Sequence, residues 1–166
     1  MVRTFHLFVC ALALGGALAV SVGHPILTPA LAHEGADDDD FAAGEPGDAT
    51  KPFRVVEITM RESDGAMSYS PDSVDVKQGE QIKFIVKNTG VLKHEFFLDS
   101  AQHNARHKLE MQKNPEMEHD DPNAQSVEQG KKVDILWKFS KAGIYEFACL
   151  IPGHYEAVMH GTVVVK

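Results

Sequence analysis

The sequence has few cysteines, with only Cys10 and Cys149 among 166 residues. Two cysteines are too few for a small scaffold held together by several disulfides. Cys10 lies in an N-terminal segment that we expect to be removed during export. Any thiol chemistry of the mature protein therefore depends on Cys149.

Basic residues are also scarce, since 16 Lys and Arg stand against 24 Asp and Glu, and the formal net charge is −8. A protein that binds DNA or RNA needs a basic surface to neutralise phosphates. An anionic membrane surface makes the same demand. The charge balance therefore argues against nucleic acids and anionic membranes as partners. The 43% apolar and 24% charged content is typical of a folded globular protein.

Long apolar runs are absent after the N-terminal segment, so we expect no membrane insertion of the processed chain. Residues 1–32 carry one charge, Arg3, followed by an apolar run over 7–22 and by Ala30-Leu31-Ala32, which has the form of a signal-peptidase site. We predict a signal peptide over 1–32 and a periplasmic protein that begins at His33. The alternative is a retained membrane anchor, but glycines interrupt the apolar run, which is shorter than a span.

An acidic stretch follows the predicted cleavage site. Residues 33–50 contain seven Asp and Glu and no Lys or Arg. Such a stretch buries too little apolar surface to offset its chain entropy. We predict a disordered acidic linker over 33–52, with repulsion of anions or attraction of metal ions as the alternative roles.

The remaining residues, 53–166, have the pattern of a β domain. Apolar and polar residues alternate over 82–87, 133–139 and 145–149, and shorter candidate strands lie at 54–60, 73–77, 95–98 and 162–165. About seven short strands separated by turn signals predict an all-β, two-sheet sandwich. The exception is a polar, proline-interrupted insertion at about 100–125, with a short helical pattern over 101–111.

The strongest chemical signal lies between the last two predicted strands. His154 follows Cys149 by five positions, and Met159 follows His154 by five more. A fourth candidate, His94, begins the predicted strand at 95–98. Two imidazoles, one thiolate and a weak thioether form a type 1 copper site, whereas thioether sulfur is not a usual zinc ligand.

Each of these residues also has an ordinary structural interpretation. A lone Cys149 is more often a buried hydrophobe, and a lone Met159 is more often part of a core. The joint pattern favours metal binding, because an unpaired thiol in an oxidising compartment is a liability unless a metal caps it.

Here the sequence resembles the cupredoxins over all of residues 53–166. The resemblance rests on the segments at 76–80, 88–96 and 145–149 and on a ligand loop with rusticyanin-like spacing. Within the family, residues 150–157 and the Met- and His-bearing insertion are most similar to the periplasmic copper-tolerance cupredoxins of bacteria. The resemblance implies a Greek-key sandwich and a single type 1 copper at His94, Cys149, His154 and Met159.

One position departs from the pattern that the resemblance implies. A glycine is expected immediately before the axial Met159, and this chain has Val158 there. The departure concerns the axial geometry, and through it the colour and the reduction potential of the site.

Three functions are compatible with these features. The first is a periplasmic copper protein that cycles Cu(I) and Cu(II) in copper tolerance, and the second is an electron carrier between respiratory partners such as a c-type cytochrome and an oxidase. The third, a metal-free adhesion or interaction module, is disfavoured by the ligand quartet. We expect no substrate turnover, because the sequence shows no Ser/His/Asp arrangement, no phosphate-binding loop and no second complete copper motif.

The insertion carries a second group of metal-ligand residue types. These are His103, His107, Met111, Met117 and His119. The first three recur at four-residue steps and would share one helix face. One interpretation is a weak second Cu(I) site, to which His33 could contribute; the other is a solvated loop whose His and Met are incidental.

Overall fold

The computed structural model describes residues 41–166. The predicted signal peptide, the cleavage site and residues 33–40 of the predicted linker lie outside the described residues. Within them, no helix is long and apolar enough to cross a bilayer.

The described residues form two mixed β-sheets and one helix. In chain order the elements are β1 (Glu45–Pro46), β2 (Arg54–Ser63), β3 (Ala66–Ser70), β4 (Ser73–Val76), β5 (Gln81–Asn88), β6 (His94–Asp99), α1 (Ala101–Lys113), β7 (Asp120–Asp121), β8 (Ala124–Val127), β9 (Lys132–Lys138), β10 (Gly143–Ala148) and β11 (His160–Val165). The strand order is β1-β9-β5-β2-β3 in the first sheet and β4-β11-β10-β6-β8-β7 in the second. The predicted all-β sandwich is confirmed.

The core forms where the two sheets face each other. Alternation on β5 buries Ile82 and Phe84, which lie opposite Trp137 and Ile135 of β9. Such cross-strand pairs on one face stabilise a sheet. Phe84 contacts Phe96 of the second sheet at 5.4 Å between ring centroids, so the aromatic side chains join the two layers.

Strand β6 is buried at every position, unlike the other long strands. One face lies on the sandwich core, and α1 covers the other face of β6 and of its neighbour β10. The helix begins where Ser100 Oγ accepts a hydrogen bond from the His103 N–H at 3.1 Å. The predicted insertion is thus a helix packed on the second sheet, and its last residues belong to β8, which pairs with β6.

The predicted linker boundary needs a correction. Residues 41–52 were expected to be disordered, but β1 pairs with the edge of β9, and Ala43 is fully buried. Phe41 packs edge-on against Trp137, with ring centroids 5.1 Å apart. The acidic composition did not predict that this segment packs on the domain. The segment contributes a short apolar end to the core and pairs its backbone with an open sheet edge. The folded domain therefore includes residues from Phe41 onward.

Candidate metal centre

Three of the four predicted ligands meet at one end of the sandwich. The ligand atoms of His94, Cys149 and His154 all lie within 4.8 Å of one another. His94 Nδ1 lies 3.2 Å from His154 Nδ1, and Cys149 Sγ lies 3.3 Å from the same nitrogen. In the described part of the chain, this is the one group of three or more His, Cys, Asp or Glu side chains with metal-binding geometry.

The loop that carries Cys149 and His154 connects two neighbouring antiparallel strands. β10 ends at Ala148 and β11 begins at His160, and these two residues are paired in register. The loop is closed by hydrogen bonds from the Cys149 N–H to the Met159 carbonyl at 3.0 Å and from the Met159 N–H to the His154 carbonyl at 3.1 Å. Backbone hydrogen bonds therefore set the spacing of the loop residues.

Met159 is fully buried at the end of this loop. It belongs to the same hydrophobic core as Cys149. Its backbone is hydrogen-bonded to the backbones of both Cys149 and His154, which places the residue next to the converging ligands. The structure thus brings the fourth predicted ligand to the same end of the molecule.

His94 is fully buried and oriented by a carboxylate. Its Nε2 lies 2.8 Å from Glu62 Oε1, whereas its Nδ1 faces the other ligands. A proton held on Nε2 by Glu62 leaves the Nδ1 lone pair free toward the centre, which is the usual arrangement around metal-binding histidines.

Glu62 is itself held in place by the backbone. It accepts hydrogen bonds from the N–H groups of Val91 and Leu92, each at 2.9 Å. Burial acts to raise the pKa of Glu62, but these hydrogen bonds and the one from His94 outweigh it and lower the pKa to about 2. A Cβ at position 90 would lie 2.1 Å from Glu62 Oε2, so Gly90 leaves the room that the carboxylate needs.

Sequence reasoning missed Glu62. It stands 32 positions before His94, near the end of a strand whose predicted boundary was residue 60. No local spacing connects the two residues. Only the packing of one sheet on the other brings them together.

The thiol of Cys149 lies in an apolar, hydrogen-bonded environment. Burial raises its pKa to about 12 in the metal-free protein. The N–H of Glu95 donates a hydrogen bond to Sγ at 3.3 Å, which is the kind of backbone contact that stabilises and tunes a coordinated thiolate. Burial also raises the pKa of Glu95 to about 7.

His154 lies at the boundary between the interior and the solvent. It is half-buried, whereas His94 and Cys149 are fully buried. Burial, followed by the neighbouring His94, lowers the pKa of His154, and burial lowers that of His94 despite Glu62. Both imidazoles thus favour the neutral form that binds metal ions.

Val158 has an unusual backbone conformation immediately before Met159. Its φ angle is +73°, in the left-handed region that β-branched residues rarely adopt. This is the position at which the cupredoxin resemblance implied glycine. The conformation explains why glycine suits the position and shows that this chain adopts it with a bulkier residue.

The candidate residues of the insertion separate into two groups. His107 and His119 come together, with 3.2 Å between their Nε2 atoms. Met111 is fully buried in the helix-side cluster of Phe97, Met111, Ala124, Ala148 and Leu150. Met117 is half-buried against that cluster. His103 is directed elsewhere, since its Nδ1 lies 2.9 Å from Asp99 Oδ2. His33 lies outside the described residues.

A two-sheet sandwich with His, Cys and His side chains converging beside a buried Met is the architecture of the cupredoxin class of copper proteins. The sequence profile of the copper-binding proteins of the plastocyanin/azurin family matches residues 56–166. The chain belongs to this family, and its cofactor is copper.

Two curated relatives extend this result. The copper-resistant cuproprotein CopI of Rubrivivax gelatinosus is 44% identical over 137 residues, which cover 81% of each chain. The protein of the same name from Pseudomonas aeruginosa is 36% identical over 154 residues, covering 75% of this chain and 83% of the relative.

A solved structure supports the fold independently. Reduced auracyanin from Roseiflexus castenholzii has a TM-score of 0.59 and 22% identity, covering 70% of this chain and 99% of that one. At this identity, the likeness concerns the fold alone.

Proposed function

We propose that the chain binds one type 1 copper ion through His94, Cys149, His154 and Met159 and works by moving single electrons. The observation that carries the proposal is the convergence of two imidazole nitrogens and one thiol sulfur within 4.8 Å, next to a buried methionine. Copper bound there would supply a one-electron Cu(I)/Cu(II) couple.

The chain's own residues prepare this site in three ways. Cys149 must lose its proton on metal binding, since a buried thiol with a pKa of about 12 is otherwise protonated at neutral pH. The Glu95 N–H then supports the thiolate, and Glu62 holds His94 in one orientation. Because the frame is a packed sandwich, we expect the ligand positions to change little between the two oxidation states.

The replacement Cys149→Ser tests this ligand set. Copper-loaded wild-type protein should show an intense visible band from thiolate-to-copper charge transfer, and the variant should lose it. Fluorescence of the single Trp137, buried in the core, serves as the folding control. An intense visible band that persists in Cys149→Ser would contradict the assignment.

We further propose that the protein acts in copper tolerance. Two relatives at 44% and 36% identity are named copper-resistant cuproproteins, and they match most of this chain. Deleting the gene should lower the copper concentration at which growth stops, and a plasmid copy should restore growth. A plasmid copy that carries Cys149→Ser should not. Equal growth of the deletion strain and its parent in copper would contradict this role.

The site of action that we propose is the periplasm, after removal of residues 1–32. An exported chain meets copper outside the thiol buffers of the cytosol, and the sequence pattern of residues 1–32 supports export. Mass spectrometry of the protein from a periplasmic extract should give His33 as the first residue. Recovery of the intact chain in a membrane fraction would support the anchored alternative instead.

A respiratory electron carrier is the second candidate. Three exposed apolar residues favour it: Val158 in the ligand loop, and Val91 and Leu92, whose N–H groups bind Glu62. Exposed apolar side chains in the ligand loop and in the segment before β6 suit brief docking of a redox protein. Rapid oxidation of a reduced c-type cytochrome, together with a respiratory defect in the deletion strain and normal copper tolerance, would favour this function.

We also propose that the protein does not turn over a substrate. Four protein ligands would close the coordination sphere, whereas a catalytic metal keeps a position open for water or substrate. The copper-loaded protein should consume no oxygen when it is supplied with Cu(I) or a phenol. Sustained oxygen consumption above that of free copper would contradict this proposal.

A further inference from the structure

The insertion contains a pair of histidines with the same geometry as the pair at the metal centre. His107 of α1 and His119, just before β7, have Nε2 atoms 3.2 Å apart, ring centroids 5.0 Å apart and an interplanar angle of 63°. For His94 and His154 the corresponding values are 3.2 Å between Nδ1 atoms, 5.1 Å and 63°. Two nitrogens bound at about 2.0–2.1 Å to one tetrahedral metal ion lie roughly 3.3 Å apart.

The other ring nitrogens of this second pair face carboxylates. His119 Nδ1 lies 3.3 Å from Asp121 Oδ2, and His107 Nδ1 lies 3.4 Å from Glu110 Oε2. A carboxylate beside Nδ1 favours a proton on that nitrogen and leaves Nε2 as a bare acceptor. When both protons are on Nδ1, two Nε2 lone pairs lie 3.2 Å apart, an unfavourable contact that a cation between them would relieve.

The surroundings of the pair are apolar and contain thioethers. The ring of Phe97 stacks on His107 at 4.7 Å and meets His119 edge-on at 5.3 Å. Met111 lies one helical turn after His107 and is fully buried, and Met117 is half-buried against the same cluster. Imidazole and thioether ligands in an apolar setting suit Cu(I) better than a hard cation.

We propose that His107 and His119, with thioether sulfur from Met111 or Met117, form a second copper site that takes Cu(I). His103 is left out of this site because the 3.2 Å nitrogen–nitrogen contact joins His107 to His119, whereas the Nδ1 of His103 contacts the buried Asp99. The second site is therefore smaller than the five-residue cluster that the sequence suggested. It shares no ligand with the site proposed above, so each proposal can fail without the other.

Titration of the full chain with Cu(I), in competition with the chelator bicinchoninate, tests the site. Wild-type protein should bind two equivalents of Cu(I). The double variant His107→Gln/His119→Gln should bind one and should keep the visible band of the Cu(II) form, which also shows that it is folded. The matched control His103→Gln, on the same helix, should bind two.

Further variants separate the two sites and identify the sulfur ligand. Cys149→Ser should lose the visible band but retain Cu(I) at the second site, whereas Met111→Leu or Met117→Leu should lower the affinity of the second site without changing the band. A wild-type protein that saturates at one Cu(I), or a double variant that still binds two, would overturn the proposal. Equal losses in His103→Gln and His107→Gln would overturn it as well.

Discussion

Glu62 on β2 and His94 on β6 are joined by a hydrogen bond of 2.8 Å between Oε1 and Nε2, so the two sheets of the sandwich are linked beside the metal centre. The same carboxylate accepts from two backbone N–H groups. This arrangement makes Glu62 a positioning residue for His94 and for the loop that precedes β6.

We expect Glu62→Gln to weaken copper binding by about 10- to 100-fold, the usual effect of removing a carboxylate behind a histidine ligand. The amide has one oxygen instead of two, and its NH₂ group would face a backbone donor. Competition with a copper chelator gives the affinity, and the visible band should persist because Cys149 is untouched. The control Glu57→Gln changes an exposed carboxylate of the same strand, which is paired with Lys87, and should have no effect on copper binding.

Met159→Leu should keep the copper and raise the reduction potential. Leucine fills a similar volume but replaces the weak sulfur donor with a hydrocarbon, and a less polar environment disfavours the more highly charged Cu(II) ion. Redox titration followed at the visible band measures the change. Met60→Leu alters another fully buried methionine of the same core and should leave the potential unchanged. Equal shifts in both variants would show that Met159 acts only by packing.

Val158→Gly should stabilise the metal-free protein by about 1 kcal/mol. A left-handed conformation costs a non-glycine residue roughly 1–2 kcal/mol. Part of this gain is lost because glycine gives up more backbone entropy on folding. The side chain is 63% exposed, so little burial is lost. Denaturant unfolding gives the difference in free energy. Val158→Ala retains a Cβ and should gain less, and a destabilised glycine variant would contradict the strain argument.

Phe41→Ala should destabilise the domain by about 1–2 kcal/mol, less than for a fully buried phenylalanine, because this ring is only half-buried. The change removes the ring that packs on Trp137, whose fluorescence should shift to longer wavelength in the folded protein. Phe53→Ala removes a more exposed ring and serves as the control. An unchanged spectrum and stability would mean that Phe41 contributes nothing to the core.

The sequence predicted the strands in which apolar and polar residues alternate over a short range. Alternation placed β5, β9 and β10 because each strand has one face in the core. It missed β3, whose sequence Ala-Met-Ser-Tyr-Ser is mostly small and polar and which forms through pairing with β2. It also missed β1, a two-residue strand that exists only because β9 offers an edge.

The same distinction applies to the metal centre. The spacing of Cys149, His154 and Met159 was visible because one loop carries all three. The contact of Glu62 with His94 was not visible, since it depends on how two sheets pack. Helical spacing placed His107 and Met111 on one face, but it also placed His103 there, and only the structure shows His103 turned toward Asp99.

The hydrogen bond between the Cys149 N–H and the Met159 carbonyl closes the ligand loop at its base, where β10 and β11 remain paired. Three of the four proposed ligands therefore occupy a self-contained hairpin connection, while His94 belongs to the permanent frame. Insertions in such a connection cost little chain entropy and leave the sheets intact. Natural variation or protein engineering can therefore replace the loop between residues 149 and 159 as a unit. The sheets would keep His94 in the same position beside the new loop.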